Sequence, residues 1–288
     1  MMATEQLLAL MKQSVEDWNA WRYQYPDFKP NLSQASLQGL VFRSGNLREV
    51  NLDRAQLCGA DLIEADFRYA TLTDANLSSA HLYRADFAHS QLQGANLLSA
   101  DLSATNFNSA NLTGANLSHA DLSGADLTQA ILVEANLNQA ELRGATFKGA
   151  NLLEINLSHA DLEQVDLAET TLREADLGQA NLAGSDLRKA NLTAADLSHA
   201  NLAGANLSEA NLSRAFLINA DLSGANLQHA NLTGANLAHA KLTDANFSSA
   251  NLADADLTGT DLDANFSGAI LKGATVIDEN LDRTTLEK

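Results

Sequence analysis

Leucine or phenylalanine recurs at every fifth position from Leu32 to Leu262 without interruption, which makes 47 consecutive five-residue units. Two positions before this central residue, 36 of the 47 units have Ala, and one position before it, 35 have Asn or Asp. A helical period of 3.6 residues would carry successive units around the axis, and the two-residue period of a strand would put successive leucines on opposite faces. The chain must therefore bend in every unit, so that each central residue returns to one interior.

The central phenylalanines indicate how many units close one coil. Six of the 47 central residues are Phe, and only Phe42 falls outside a single series. The other five are separated by multiples of four units: Phe67, Phe87, Phe107, Phe147 and Phe247. If four units close a coil, these rings form one column on one interior face. We therefore predict a four-sided coil made of four pentapeptides, with Leu and Ala inside and the remaining positions outside.

The repeat resembles that of the pentapeptide-repeat family, whose units combine a small residue, Asn or Asp, Leu or Phe, and two variable residues. Members fold as right-handed quadrilateral β-helices, so the resemblance implies an all-β solenoid with short parallel ladders on four faces and supplies its handedness. It covers residues 30 to about 286. We accordingly divide the chain into an N-terminal capping α-helix with a linker (1–29), a β-helix (30–265), and a register-shifted last coil with a C-terminal cap (266–288).

The N-terminal segment predicts one helix that caps the first coil, because the unpaired backbone at the end of a solenoid favours aggregation unless it is covered. Residues 4–23 place an apolar stripe along such a helix, and the only two prolines, Pro26 and Pro30, follow it. Some family members have a similar Trp-Asn-x-Trp-Arg leader. The predicted capping residues are Leu7, Leu8, Met11, Val15, Trp18 and Trp21.

The register of the repeat slips by one residue near the C terminus, because Leu262 is followed by Phe266 rather than by an apolar residue at position 267. The pattern resumes at Leu271, so Phe266 and Leu271 are predicted to belong to a second cap or a contact surface. In several family members the C-terminal end forms a dimer interface. The resemblance therefore implies a homodimer through residues 266–288 as one hypothesis.

The first residues of the chain and its cysteine content bear on where in the cell the protein is located. The first residues lack the basic segment of a signal peptide, and the apolar run from Leu7 to Met11 is too short to span a membrane. The single Cys58 cannot form an internal disulfide. We therefore expect a cytoplasmic protein without membrane contact.

Outward residues that lie four units apart form columns, and a site should appear as a column that departs from the repeat. Glu134, Glu154 and Glu174 share one column, with carboxylates expected about 5 Å apart. Such a trio could bind a cation or a basic partner, or raise the pKa of one carboxyl, and a solvated acidic edge is the alternative. Because no nucleophile or His lies beside it, we predict no catalytic residue and no cofactor.

A second column contains four histidines, each eight units from the next: His119, His159, His199 and His239. They would lie two coils apart, which is too far for one shared ion, whose His nitrogens lie about 2 Å away. The spacing instead indicates duplication of a block of eight units, and no metal site is predicted.

Two groups of outward apolar residues interrupt the polar surface. One comprises Ile131, Val133 and Leu153 on adjacent coils, and the other comprises Phe216 and Ile218, where Phe216 occupies an Asn/Asp position. Adjacent exposed apolar residues are typical of contact sites. The alternative is sequence drift at surface positions where the fold tolerates substitution. With the Glu trio, the two apolar groups form the candidate surface for an unknown protein partner.

The net charge of −18 raises a further possibility. Some relatives are acidic rods that imitate duplex DNA and bind a type II topoisomerase, so the resemblance implies DNA gyrase or topoisomerase as a partner. However, 14 of the 36 acidic residues are Asp in the repeat's own Asn/Asp position. With no basic face and no aromatic stacking platform expected, direct nucleic-acid binding is not predicted. We expect a non-enzymatic scaffold for protein–protein interaction, with the acidic DNA mimic as the alternative.

Overall fold

The computed structural model describes residues 4–276. Two helices begin the chain, α1 (Thr4–Gln13) and α2 (Val15–Gln24), and two short strands, β1 (Ala245–Asn246) and β2 (Ala264–Asn265), pair in parallel. Elsewhere in the repeat, most pentapeptides contribute one bridging residue instead of a longer strand. The chain divides into two compact units, Met1–Asn151 and Leu152–Lys288, called unit 1 and unit 2 below.

Each unit is a right-handed quadrilateral β-helix. The Asn/Asp position of a pentapeptide, called the slot below, pairs in parallel with the slot four pentapeptides further on, as Asn31 does with Asn51 in unit 1. Four pentapeptides therefore make one coil, as the spacing of the phenylalanines predicts. After the register slip the paired residues are one position closer in the sequence, as in Asn251 with Ile270.

The backbone hydrogen bonds follow one scheme from coil to coil. Leu72 N–H donates to the carbonyl of Gln91 at 2.7 Å, and Gln91 N–H donates back to the carbonyl of Ala70 at 2.9 Å. The chain then turns, because Ala75 N–H donates to the Leu72 carbonyl at 3.0 Å and closes a four-residue turn. The third residue of this turn, Asp74, has a φ of +56°, a feature of type II turns.

This left-handed position recurs through both units, and the sequence analysis did not predict it. Residues other than glycine occupy it at His119 (φ +57°) and Glu154 (φ +55°), although a left-handed backbone costs an L-residue about 1–2 kcal/mol. The signal was present in the sequence, because 14 glycines have a positive φ out of 16 in the chain. Glycine tolerates this backbone without steric penalty.

The interior of complete coils is filled by the central residues and the preceding alanines. Leu112 and Ala115 are 0 % exposed, like most of their equivalents. Phe87 stacks between Phe67 and Phe107 with ring centroids 4.5 and 5.1 Å away. The predicted interior column of rings is therefore confirmed at these residues.

Phe42 lies outside that column and is accommodated by a glycine. Gly45 occupies the position where most units have Ala, and a Cβ there would clash with the ring of Phe42. Trp18 of α2 packs edge-on against the same ring, with centroids 6.0 Å apart. The loss of one methyl group therefore makes room for a larger central residue beneath the helix.

The N-terminal segment forms two helices, whereas the sequence analysis predicts one over residues 4–23. The helix is interrupted at Ser14, whose backbone is extended and whose Oγ accepts the N–H of Asp17 at 3.0 Å. Ser14 is therefore the N-cap of α2. Of the predicted capping residues, Leu7, Met11 and Trp18 are buried and Leu8, Val15 and Trp21 are half-buried.

Candidate interaction surfaces

Three side chains of α2 bond to the open edge of the first coil. Trp18 Nε1 donates to the carbonyl of Asn46 at 2.8 Å, and Asn19 Oδ1 accepts the N–H of Asn46 at 2.8 Å. Arg22 Nη2 donates to the carbonyl of Arg48 at 2.7 Å. In later coils the equivalent backbone groups bond to the preceding coil. The side chains of α2 thus supply the partners that a preceding coil would supply.

Arg22 is a buried cation in this contact, with 4 % of its surface exposed. It also donates through Nη1 to the carbonyl of Phe28. Burial lowers the pKa of the Arg22 guanidinium, and the charges of Glu49 and Asp66 oppose this effect. Carbonyl acceptors and nearby carboxylates together offset the removal of the charge from water.

The slot residues are mostly half-buried, and they stabilise the turn that follows them. Asp101 Oδ1 accepts the N–H of Ser103 at 3.1 Å, and Asn206 Oδ1 accepts the N–H of Ser208 at 3.2 Å. A slot amide also donates to the preceding coil, as Asn226 Nδ2 does to Asn206 Oδ1 at 3.3 Å. Asn and Asp are the residues whose short side chains make such local bonds, which explains the repeat's preference.

Hydrogen bonds and ion pairs also shift the pKa values of the aspartates that occupy slots. The Arg188 guanidinium holds the pKa of Asp186 below its ordinary value. Burial alone would raise the pKa of Asp126, but hydrogen bonds from Thr128 and Thr146 outweigh it, so that this pKa is lowered as well. These carboxylates are stabilised in their ionised form by structural contacts. Such a shift moves a carboxyl away from the range that suits proton transfer near neutral pH.

The predicted Glu column is divided between the units, with Glu134 in unit 1 and Glu154 and Glu174 in unit 2. All three side chains are exposed. Glu174 lies 3.3 Å from Arg173 in an exposed ion pair, a contact that contributes little to stability. Within residues 4–276 no group of three or more His, Cys, Asp or Glu side chains is arranged to hold a metal ion. A role for the Glu residues in partner binding stays a prediction.

The apolar group around Ile131 is also divided, because Ile131 and Val133 lie in unit 1 and Leu153 lies in unit 2. Ile131 occupies a slot between Asn111 and Asn151, and it is 40 % exposed. Val133 and Leu153 are half-buried. Ile131 is therefore the member of this group that presents most apolar surface to solvent.

Phe216 provides an exposed aromatic slot in unit 2. It bridges Asp196 and Asn236 in the neighbouring coils, and it is 47 % exposed. Ile218 is half-buried at the turn that follows. The central phenylalanines of complete coils, such as Phe147, are 0 % exposed, so Phe216 differs from them in position and in burial.

Phe266 and Leu271 belong to the last coil that the structure describes, and both are half-buried there. Phe266 stacks on Phe247 with centroids 5.1 Å apart and an interplanar angle of 11°. Residues 277–288, which the predicted dimer interface includes, lie outside the described residues. The dimer therefore stays a prediction.

One surface feature of unit 1 was missed by the sequence analysis. The Arg48 guanidinium lies 4.8 Å from the ring centroid of Tyr69, and the Tyr69 ring stacks on His89 at 4.9 Å. The spacing of four pentapeptides between Tyr69 and His89 was the available signal. The two rings already cover each other's inner faces, so the expectation that no aromatic platform is available for nucleic acid stays a prediction.

The family model described as pentapeptide repeats matches eight times, at residues 31–63, 60–97, 80–119, 95–139, 120–152, 150–188, 190–228 and 230–264. The chain belongs to the pentapeptide-repeat family. No curated protein sequence matches the chain. Among residues 4–276, no helix is both long and apolar enough to cross a bilayer.

Solved pentapeptide-repeat structures are similar to the chain. HetL, which is involved in heterocyst differentiation regulation in the cyanobacterium Nostoc sp. strain PCC 7120, is 34 % identical over 89 % of this chain and 93 % of its own, with a TM-score of 0.30. Rfr23 from the cyanobacterium Cyanothece 51142 is 36 % identical over 43 % and 88 %, with a TM-score of 0.21. A trypsin-treated variant of QnrB1, a plasmid-mediated fluoroquinolone resistance protein, is 22 % identical over 58 % and 91 %, with a TM-score of 0.33.

Proposed function

We propose that this pentapeptide-repeat protein is a non-enzymatic scaffold whose outer surface binds another protein. The observation that carries the proposal is the filled interior, because buried leucines and alanines occupy the inside of complete coils. Recognition then has to use the outward slots and turns. Bonds to their own turn and to neighbouring coils hold slots such as Asn206 in place. A surface held in this way loses little conformational entropy on binding.

The candidate contact residues are those that depart from the repeat. They are Ile131, Val133 and Glu134 in unit 1, and Leu153, Glu154, Glu174, Phe216 and Ile218 in unit 2. The proposal assigns no catalytic residue and no cofactor, since the lowered pKa values of acidic slots such as Asp186 have structural causes. The cytoplasmic location that the sequence predicts is part of the proposal.

Affinity capture from cells of the source organism tests this function. The tagged full-length chain is compared with a chain carrying Ile131→Asn and Phe216→Asn, which restores the residue most typical of the slot. We expect the wild type to enrich a defined protein and the double variant to retain less of it. Failure of the wild type to enrich any protein above a tag-only control would contradict the proposal.

An acidic DNA mimic that binds DNA gyrase or topoisomerase is the second candidate. It is favoured by aspartates that are paired between neighbouring coils, such as Asp101 with Asp121 and Asp66 with Asp86. However, Arg68 lies 2.7 Å from Asp66 and 3.5 Å from Asp86, which reduces the negative charge of that face. A supercoiling assay with DNA gyrase separates the two candidates. Dose-dependent inhibition favours the mimic, and unchanged supercoiling at a large molar excess of the chain contradicts it.

A further inference from the structure

One face of unit 2 combines an exposed aromatic ring with carboxylates. Its slots, called the Phe216 face below, are paired from coil to coil in the order Asp176, Asp196, Phe216, Asn236 and Asp256. Neighbouring slots are therefore separated by one coil, about 4.8 Å. Asp176, Asp196 and Phe216 are exposed, and Asn236 and Asp256 are half-buried.

The phenyl ring of Phe216 does not perform the usual task of a slot residue. The neighbouring slots bond to their own turns, since Asp196 accepts the N–H of Ser198 at 2.8 Å and Asn236 accepts the N–H of Ala238 at 3.0 Å. A phenyl ring has no acceptor for such a bond. Because 47 % of Phe216 is exposed, much of the free energy that burial of an aromatic side chain contributes is not realised. Contact with a partner would recover that gain.

The ring of Phe216 is accessible to an approaching surface, since 47 % of the residue is exposed. In the neighbouring coils, the second residue of the turn after the slot is Ser198 or Ala238, and the second residue of the turn before it is Thr193 or Thr233. These residues are small, whereas the third residues of the turns after the slot are the exposed His199 and His239. A protruding aromatic residue of this kind suits a hydrophobic pocket on another protein, where aromatic anchors contribute most to affinity.

The carboxylates of this face are available for a cation. Asp176 uses one oxygen to accept the N–H of Gly178 at 2.9 Å, and Asp196 bonds to Ser198 in the same manner. Within the described part of the chain, neither aspartate lies within ion-pair distance of a Lys, Arg or His side chain. Arg173 lies three residues before Asp176 and pairs with Glu174, and His199 lies three residues after Asp196. Arg214 lies two residues before Phe216.

The charge of unit 2 decides which class of occupant fits. Residues 152–276 carry 16 acidic and 6 basic side chains. A second copy of this chain would bring like charge to the face and be repelled, whereas a basic segment would be attracted. Residues three or four apart on a helix are separated by about 4.5–6 Å along its axis, close to the step between coils.

We propose that the Phe216 face binds a basic amphipathic helix of a partner protein. The helix receives the ring of Phe216 between apolar side chains, and Lys or Arg residues one and two coil steps away meet Asp196 and Asp176. This inference rests on the proposed function of the outer surface, and it names the chemistry of the partner.

The test measures binding of two fluorescent peptides to the full-length chain by anisotropy. Both peptides are helix-forming, about 18 residues long, and share one leucine stripe. One carries Lys beside the stripe, and the other carries Glu at the same positions. We expect the Lys peptide to bind the wild type with an affinity that falls as ionic strength rises, and the Glu peptide to bind at least about tenfold more weakly.

Three variants locate the contact. Phe216→Asn gives the slot its usual residue, and Asp176→Asn with Asp196→Asn removes both charges but keeps an acceptor for each turn. Each of these is expected to weaken binding of the Lys peptide at least about tenfold. Val41→Asn makes the same type of exchange at a slot in unit 1 that is 70 % exposed, and it should leave binding unchanged. Thermal unfolding of every variant confirms that it is folded.

Equal binding of the Lys and Glu peptides, no binding of either, or full affinity in Phe216→Asn would each overturn the inference. Self-association that Phe216→Asn abolishes would overturn it too, because the occupant would then be a second copy. The capture experiment separates this failure from that of the proposed function. If Phe216→Asn alone retains the captured partner, the scaffold function stands and only the role of this face is lost.

Discussion

At the scale of the residue, two positions of each pentapeptide explain why the chain bends. The slot residue bonds to its own turn, as Asn206 does with Ser208, and three positions after the slot the backbone adopts a positive φ, as at Glu209. The first position favours Asn and Asp because their side chains reach the local backbone. The second favours Gly because other residues are strained there.

Ala104→Gly should stabilise the chain, although a glycine usually destabilises regular structure. Ala104 has a φ of +55°, so glycine relieves a strain of about 1–2 kcal/mol and loses about 0.5–1 kcal/mol through the entropy of the unfolded chain. We expect the free energy of unfolding in denaturant to rise by about 0.5–1 kcal/mol. Ala110→Gly is the control, since Ala110 is 0 % exposed in the interior and its loss should destabilise. A destabilised Ala104→Gly would show that strain at this turn is absent.

Asn206→Ala should destabilise unit 2 by about 1–3 kcal/mol, because it removes the acceptor of two hydrogen bonds, from Ser208 and from Asn226. Asn206→Asp replaces the amide oxygen with a carboxylate oxygen, which can accept the same hydrogen bonds, and it serves as the matched control. Chemical denaturation measures both variants. Equal stability of Asn206→Ala and the wild type would mean that slot bonds do not contribute.

Residue patterns predicted part of this picture. The period of Leu32 to Leu262 and the spacing of Phe67, Phe87 and Phe107 were sufficient for the coil, because burial of large apolar side chains dominates the pattern. The turn conformation was not predicted, since most residues at the left-handed position are ordinary polar ones such as Glu154. The position of Phe216 in a slot was sufficient to predict that its ring is exposed. The proposal of a basic partner also required the pairing of Phe216 with Asp196 and of Asp196 with Asp176.

At the scale of the element, α2 closes the first coil through side chains rather than through backbone. The sequence placed Trp18 and Trp21 on a capping helix, but a periodic stripe does not show where a helix is interrupted. Ser14 with Asp17 three residues later was the local signal for the break, because a serine side chain accepts a backbone N–H at a helix start. The bonds of Asn19 and Arg22 depend on tertiary contacts that no local pattern encodes.

Asn19→Ala tests this closure. It removes the acceptor for Asn46 N–H and the donor to the Ser44 carbonyl, so the first coil should become less protected. We expect hydrogen exchange of residues 31–50 to accelerate about tenfold, as the loss of bonds worth about 1–1.5 kcal/mol implies. Glu16→Ala, on the exposed side of α2, is the control. Unchanged exchange in Asn19→Ala would show that α2 does not hold this edge.

At the scale of the whole molecule, the aspartates in the slots make the stability of the fold depend on pH. The pKa values of Asp126, Asp186 and Asp221 are lowered in the folded chain. A carboxyl with a lower pKa in the folded state stabilises folding above its unfolded value, and this contribution is lost as pH falls through the folded pKa. The structural bonds of these carboxylates therefore stabilise the folded chain more when the carboxylates are ionised.

Stability should accordingly fall as the pH is lowered below about 4, the ordinary range of aspartate. Denaturant unfolding at a series of pH values measures this loss. Asp186→Asn retains an acceptor for the Arg188 N–H but cannot ionise, so its stability should depend less on pH than that of the wild type. A stability that stays constant or rises on acidification would contradict the prediction.

The predicted homodimer interface lies at the C-terminal end of the chain. Sedimentation at micromolar concentration should give the mass of a homodimer if residues 266–288 form the interface. Phe266→Asp with Leu271→Asp should then give a monomer, because charges would replace half-buried apolar side chains. A monomeric wild type would remove the dimer from the account.

The central claim is that the chain works through its outward positions and not through an internal site. Cross-linking mass spectrometry on the captured complex tests it most directly, with exposed lysines as reporters in unit 1 (Lys29 and Lys148) and in unit 2 (Lys189, Lys241 and Lys272). We predict cross-links between a partner protein and these lysines, concentrated in unit 2 and reduced in Phe216→Asn. A wild-type chain that forms no cross-link to any protein in its own cells would contradict the claim.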